Sequence, residues 1–183
     1  MKWMIASDIH GSAPCCRRLL CRFREEGAER LVLLGDLLYH GPRNDLPEGY
    51  DPRTVAELLN GVKESLLCVR GNCDSEVDQM MLDFPMMADY ALLAPDGLTV
   101  FATHGHVYHP DSLPPLKAGD ILLFGHTHVP LCEKREGILC MNPGSVSIPK
   151  AESARGYMVF ENGMFLWKNL EGEEYKRISG REP

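Results

Sequence analysis

Three times within its first 81 residues the chain runs from a short apolar segment through a glycine-marked polar turn toward helix signals. Trp3 to Ala6 leads into Ser7-Asp8-Ile9-His10-Gly11, Arg30 to Leu34 into Gly35-Asp36, and Ser65 to Val69 into Arg70-Gly71-Asn72-Cys73-Asp74. Ser12 and Pro14 open the first helix, Cys16, Leu19, Leu20 and Phe23 form its buried stripe, and Gly27 can stop it. Asp51 and Pro52 open a second, with Val55, Leu58 and Leu59 inward and Gly61 past its end. A short third helix is expected from Ser75 through Met81. Repeated strand-helix units predict a largely parallel sheet with right-handed crossovers. That puts the carboxyl ends of the strands, and with them Asp8, His10, Asp36 and Asn72, on one side, where open α/β sheets carry their working groups.

From Met86 the pattern changes to strand after strand. Met86 to Ala94, Leu98 to Thr103, Asp120 to Phe124, Leu131 to Arg135, Ile138 to Met141, Tyr157 to Glu161 and Met164 to Leu170 all read as strands. Asp96-Gly97, Glu136-Gly137 and Asn162-Gly163 read as hairpin turns between them. These strands predict a second, mainly antiparallel sheet packed on the first, an α/β sandwich with helices outside. Residues 1–183 read as one domain, with a polar tail from Glu171 to Pro183 that is partly loose. Met164 to Leu170 is a candidate edge strand, either covered or paired across subunits of a homo-oligomer.

Histidines fill the later strand ends. Thr103 runs into His104-Gly105-His106, and Phe124 into Gly125-His126-Thr127-His128. Two histidines in extended i, i+2 relation point the same way, roughly 6 to 7 Å apart, and can reach two neighbouring ions, one each. Gly125 lets the backbone turn close beside them. Asp8, His10, Asp36, Asn72, His104, His126 and His128 together are the groups a two-metal site requires. Imidazole with carboxylate suits Mn, Fe, Zn or Ni better than Mg or Ca, and Asp36 is the natural bridge.

Composition narrows the function classes. A charge of -7 with no clustered Lys and Arg argues against non-specific nucleic-acid binding; Arg17, Arg18, Arg22 and Arg24 interleave with apolar helix positions. No apolar run approaches a membrane span and no signal-peptide pattern follows Met1, so a cytoplasmic location is expected. The seven cysteines are odd in number and lack C-x-x-C spacing, which suits free thiols in a reducing compartment.

Asp8-x-His10, Gly35-Asp36, Gly71-Asn72-x-Asp74, His104 and Gly125-His126-x-His128, in this order, resemble the calcineurin-like metallophosphoesterase superfamily. Together with His40 to Asn44, Arg70 to Met80 and Asn142 to Pro149, they resemble its YfcE-type bacterial phosphodiesterases over essentially the whole chain. The resemblance implies a four-layer αββα sandwich and a dinuclear, Mn-preferring site. Asp8, His10 and His128 would hold one ion, Asn72, His104 and His126 the other, and Asp36 both. It further implies a small phosphodiester substrate attacked by a hydroxide between the ions, with Asn72 and the metals on the non-bridging phosphate oxygens.

At the position where the wider superfamily carries a histidine that assists the leaving group, this chain has Cys73, as the YfcE-type proteins do. A thiol is a poorer proton donor, which suggests diesters or good leaving groups. His40 is a candidate substrate contact and proton donor, while Arg43 and Asn44 read as loop structure. His106 is expected beside the ligands rather than among them, and Tyr108 and His109 at the surface. Met80, Met81, Met86 and Met87 read as core packing, and Ser145 and Ser147 as structural. Two other functions stay open on the sequence: a partner-binding scaffold on the same fold, and a phosphomonoesterase.

Overall fold

A computed structural model describes residues 1–181. Eleven strands form two sheets. The first is six-stranded, in the order β11-β10-β9-β1-β2-β3, with β1 at Lys2–Ala6, β2 at Arg30–Leu33, β3 at Leu66–Cys68, β9 at Gly156–Glu161, β10 at Met164–Asn169 and β11 at Glu174–Ser179. The second is five-stranded, in the order β4-β5-β6-β8-β7, with β4 at Tyr90–Leu93, β5 at Val100–Thr103, β6 at Ile121–Leu123, β7 at Leu131–Arg135 and β8 at Ile138–Asn142.

The two-residue period of each strand sorts side chains to opposite faces, and both faces of the first sheet are buried. Met4 and Ala6 of β1, Leu31 and Leu33 of β2, and Tyr157 and Val159 of β9 face two helices, α1 (Ala13–Glu25) and α2 (Pro52–Asn60). Ile5, Val32, Met158 and Phe160 face the other way, packing on Val100, Ala102, Ile121, Leu123 and Met141 of the second sheet. The outer face of that sheet, with Phe101, Leu122 and Cys140, is covered by the segment around Tyr108, Leu113 and Leu116, which contains no helix. The expected layers are therefore present in order, the fourth built of irregular chain.

The three strand-helix units form as the sequence predicts. Helix α1 buries Cys16, Leu19, Leu20 and Phe23, while Asp51 caps α2 by accepting from the Thr54 amide at 3.0 Å. The third helix, α3, is a single turn at Glu76–Gln79 held by a reciprocal Ser75–Asp78 capping box. Ser12 stands at the head of α1 without capping it, because its hydroxyl donates instead to the Glu48 carbonyl at 2.7 Å. Asn162-Gly163 and Glu136-Gly137 turn with both residues at positive φ, as tight hairpins require.

Four expectations are corrected. Strands β9 and β10 join the first sheet, β9 pairing antiparallel with β1, rather than the second. The second sheet is mixed rather than mainly antiparallel: β5/β6 and β6/β8 are parallel, β4/β5 and β7/β8 antiparallel. The strand expected from Met86 begins only at Tyr90. The tail is not loose, since β11 pairs with β10 along its length and so covers the edge once considered for subunit pairing; its last two residues lie outside the described part.

Candidate metal centre

Strands β1, β2 and β3 run parallel in one sheet and β5 and β6 in the other, and the loops leaving their carboxyl ends converge. Asp8, His10, Asp36, His104 and His128 are all buried there, with Asn72 and His126 at the open side. Five of the predicted residues adopt left-handed backbone: Asp8 (φ 60), His10 (48), Asp36 (56), His126 (64) and His128 (60). Such conformations are costly outside glycine and persist where surrounding contacts impose them. His126 and His128 are thus not an extended pair. The left-handed turns send their rings to opposite neighbours, His128 to 5.0 Å from His10 and His126 to 5.1 Å from His104. Gly125 is required for close approach rather than for a positive φ: a Cβ on it would lie 1.9 Å from Ser7 Oγ and 2.9 Å from Asp8 Oδ2.

The three buried histidines are oriented alike. His10 Nδ1 meets the Tyr39 carbonyl at 2.8 Å, His104 Nδ1 the Leu34 carbonyl at 2.6 Å, and His128 Nδ1 the Ile148 carbonyl at 2.6 Å. A carbonyl only accepts, so each Nδ1 carries a proton and each Nε2 is turned to the centre, where its neutral form presents a lone pair. His10 Nε2 and His128 Nε2 face one another at 3.2 Å, and each lies near Asp8 Oδ1, at 3.5 and 3.3 Å. That buried carboxylate oxygen has no hydrogen-bond partner. Converging imidazole nitrogens around an orphaned carboxylate oxygen are what a cation satisfies. On the other side Asp36 Oδ2 lies 3.4 Å from His104 Nε2 and 3.6 Å from His10 Nε2, and Asn72 Oδ1 lies 3.1 Å from His104 Nε2. Asp36 therefore stands between two donor groups.

One carboxylate that the sequence reading left without a role organises these loops. Asp74 Oδ2 accepts from the amides of Asp36 at 2.8 Å and Gly71 at 2.7 Å, and its Oδ1 accepts from Leu37 at 2.9 Å. The Cys73 amide in turn donates to Asp36 Oδ1 at 2.8 Å. Asp74 thus ties the β2 loop to the β3 loop, and the Cys73 amide on Oδ1 leaves Oδ2 of Asp36 facing the centre. Its place in Gly71-Asn72-x-Asp74 was the available signal. Ser145 and Ser147 are structural as expected, both hydroxyls donating to the Asp8 carbonyl, at 2.8 and 3.1 Å.

Other predicted residues are less central. The His40 ring lies edge-on between Tyr39 and Tyr50, its Nδ1 buried without a partner, and it lines neither cavity beside the centre. Asn44 holds its own loop by donating to the His40 carbonyl at 2.8 Å. Arg43 does line the mouth, with Lys150, which the sequence reading did not single out. His106 lies 5.5 Å from the His104 ring and is exposed. Tyr108 is half-buried against Phe101 rather than at the surface, and Met80 and Met81 are exposed rather than core.

Without metal the centre is electrostatically loaded. Burial works against the charged form of Asp8, but His10 and His128 outweigh it and hold the carboxyl well below the usual range. Burial likewise opposes the charged form of His104, yet Asp36 and Asp8 raise its pKa to about 9. His126 goes the other way, to about 4, through burial and the neighbouring His104 charge. The signs give a prediction for chelator-stripped protein. His104 contributes stability below its unfolded pKa of about 6.5 that is lost as pH rises toward 9, and His126 costs stability as pH falls from 6.5 toward 4. Urea unfolding of stripped protein should therefore show maximal stability near pH 6.5 with decline on both sides. A monotonic profile across pH 4 to 9 would contradict these environments.

Comparison with known proteins agrees with this geometry. Residues 1–163 match the family model described as the calcineurin-like phosphoesterase superfamily domain. The phosphodiesterase YfcE of Escherichia coli K12 is 52% identical over 162 residues, 88% of each chain. A solved structure, from a study of Yfce as a phosphoesterase from E. coli, superposes with a TM-score of 0.94 at 47% identity, covering 98% of this chain and 99% of that one. A Vps29 of Entamoeba histolytica shares the fold, at 17% identity and a TM-score of 0.65 over 98% of this chain and 99% of that one. With its two sheets, its strand-end loops and its family match together, the chain belongs to the calcineurin-like phosphoesterase superfamily.

Proposed function

We propose that the chain is a phosphodiesterase working with two divalent metal ions, manganese first among them. What supports this reading is the cluster around Asp36: Asp8, His10 and His128 converge on one side, and on the other His104 lies near Asp36 with Asn72 Oδ1 and the His126 ring beside it. Bound divalent ions supply a water acidic enough to act as nucleophile near neutral pH and neutralise charge on the phosphoryl oxygens. The protein's part is to hold the donors in place. The Nδ1–carbonyl bonds orient three imidazoles, and Asp74 orients Asp36 through the backbone. Asn72, exposed at the mouth with its Oδ1 3.1 Å from His104 Nε2, would offer its amide N–H to the phosphate oxygens.

Diester preference rests on Cys73 and on the name of the E. coli relative. Burial and the Asp36 carboxylate push the Cys73 thiol up to about 12, so it stays protonated and donates poorly to a departing alkoxide. Cys73→His is expected to shift the diester-to-monoester ratio toward monoesters by about tenfold or more; an unchanged ratio would remove Cys73 from the specificity argument. The catalytic unit is taken to be the whole chain, 1–183, working in the cytoplasm. Cys15, Cys16, Cys21, Cys68, Cys73 and Cys140 are free thiols, and among the described residues no helix is long and apolar enough to cross a membrane.

The test is hydrolysis of bis(p-nitrophenyl) phosphate and p-nitrophenyl phosphate by chelator-stripped protein, before and after adding manganese. Turnover that requires metal and favours the diester supports the proposal. Folded protein inactive on both esters with every divalent ion would sink it and favour a partner-binding role.

A further inference from the structure

Beside the metal centre lies a larger cavity that the chemistry described so far does not use. It encloses about 910 Å³ and shares Pro42, Arg43, Asn72 and Cys73 with the 380 Å³ mouth over the metal donors. A phosphoryl group held at Asn72 therefore has one ester arm with a direct route into it. A volume of that order accommodates an organic group much larger than phosphate.

The walls state what that group is. Apolar surface comes from Leu38, Tyr39, Tyr50, Val77 and Met81. Tyr39, Val77 and Met81 are 41%, 69% and 47% exposed, so large apolar side chains face solvent beside the centre. Flat aromatic walls and an adaptable methionine suit a ring. The charge at the cavity is positive although the whole chain carries -7. Arg43, Arg53 and Arg70 line it. Arg43 and Arg70 are paired with no carboxylate among the described residues, and Arg53 Nε meets Glu57 at 3.5 Å on the exposed face of α2. The two acids in the lining are engaged internally: Asp74 accepts three backbone amides, and Asp78 Oδ2 accepts from the Ser75 amide and hydroxyl, each at 2.8 Å. Guanidinium forks with no protein carboxylate fit a second anionic group.

We propose that this cavity binds one substituent of the diester, and that the substituent is a nucleobase-sized ring bearing a second negatively charged group. This rests on the phosphodiesterase reading and names its substrate class. The ring lies against Tyr39, Tyr50 and Val77, while the second anion meets Arg43 and Arg70. Small diesters that leave the cavity empty are then poor substrates that still report on the metal centre.

Calorimetric titration of manganese-loaded protein tests it with inorganic phosphate, ribose 5-phosphate, adenosine 5′-monophosphate and adenosine 3′,5′-bisphosphate. The expected order is bisphosphate tightest, by at least tenfold over inorganic phosphate, then the monophosphate, with ribose phosphate no better than phosphate itself. Val77→Asp, at an exposed position that does not threaten folding, should weaken both adenosine ligands tenfold or more and leave inorganic phosphate within twofold. Arg43→Gln should erase the advantage of bisphosphate over monophosphate. Bisphosphate binding no tighter than phosphate, or unmoved by Val77→Asp, overturns the proposal. Metal-dependent turnover of bis(p-nitrophenyl) phosphate, measured alongside, separates the two readings: turnover without ligand preference removes only the cavity assignment, and absence of turnover removes the catalytic reading.

Discussion

Replacing Asp36 by asparagine is expected to lower metal-dependent diester hydrolysis by about 10³-fold or more while leaving the fold intact. The direction follows from which atom faces the centre. Asp36 Oδ1 accepts from the Cys73 amide at 2.8 Å, so in the variant the amide oxygen keeps that bond and the NH₂ group takes the place of Oδ2 between His10 and His104. A donor then points at the position proposed for two cations, and the one carboxylate between the donor sets is gone. Several kcal/mol of charge stabilisation are at stake, at about 1.4 kcal/mol per factor of ten. The measurement is kcat of the manganese-loaded variant with its metal content and melting temperature. Activity within twofold of wild type would remove Asp36 from the metal site.

Asp74→Asn is expected to act without touching substrate. Its carboxylate serves three amides, two on Oδ2 and one on Oδ1, and an amide of the same shape has one oxygen. With the oxygen toward Asp36 and Gly71, the new NH₂ faces the Leu37 N–H, donor against donor. The buried mismatch costs roughly 1 to 3 kcal/mol. Burial and the Asp36 charge both push the Asp74 pKa up, so removing its charge offsets part of that loss. The larger effect is on Asp36, because the next residue in its loop, Leu37, loses the anchor of its backbone amide. Metal affinity should fall about 10- to 100-fold, the usual cost of losing a group that orients a ligand. Metal titration and urea unfolding read the two effects separately. A variant with wild-type affinity and lowered stability would make Asp74 a loop tie only.

The convergence of the candidate donors was legible in the sequence because each follows an apolar strand, and parallel strand-helix units put strand ends on one side. Sheet membership of β9 and β10 was not. The Asn162-Gly163 hairpin fixes that Tyr157 to Glu161 pairs with Met164 to Leu170, but nothing local says that β9 also lies beside β1. The tail was misread because Glu174, Lys176 and Arg177 suit an exposed edge strand as well as a solvated coil. Left-handed backbone at Asp8, His10, Asp36, His126 and His128 was equally hidden, since it is imposed by loops meeting in space. The cavity walled by Tyr39, Tyr50 and Val77 assembles from segments that share no motif.

Strand β1 lies between β2 and β9 in the first sheet. Its partner on one side, Gly156–Glu161, is made about 150 residues later. At roughly 5 to 20 residues per second, the nascent chain carries an unpaired β1 edge for about 8 to 30 seconds. The Asp8 loop waits as long, because its carbonyl is held by Ser145 and Ser147 and the Ser7 carbonyl by the Val146 amide. Pairings of such sequence separation are slow to close and leave hydrophobic surface open meanwhile. Synthesis rate and chaperone supply thus bear on the yield of this protein through β1, whose edge toward β9 stays open until that strand has been made.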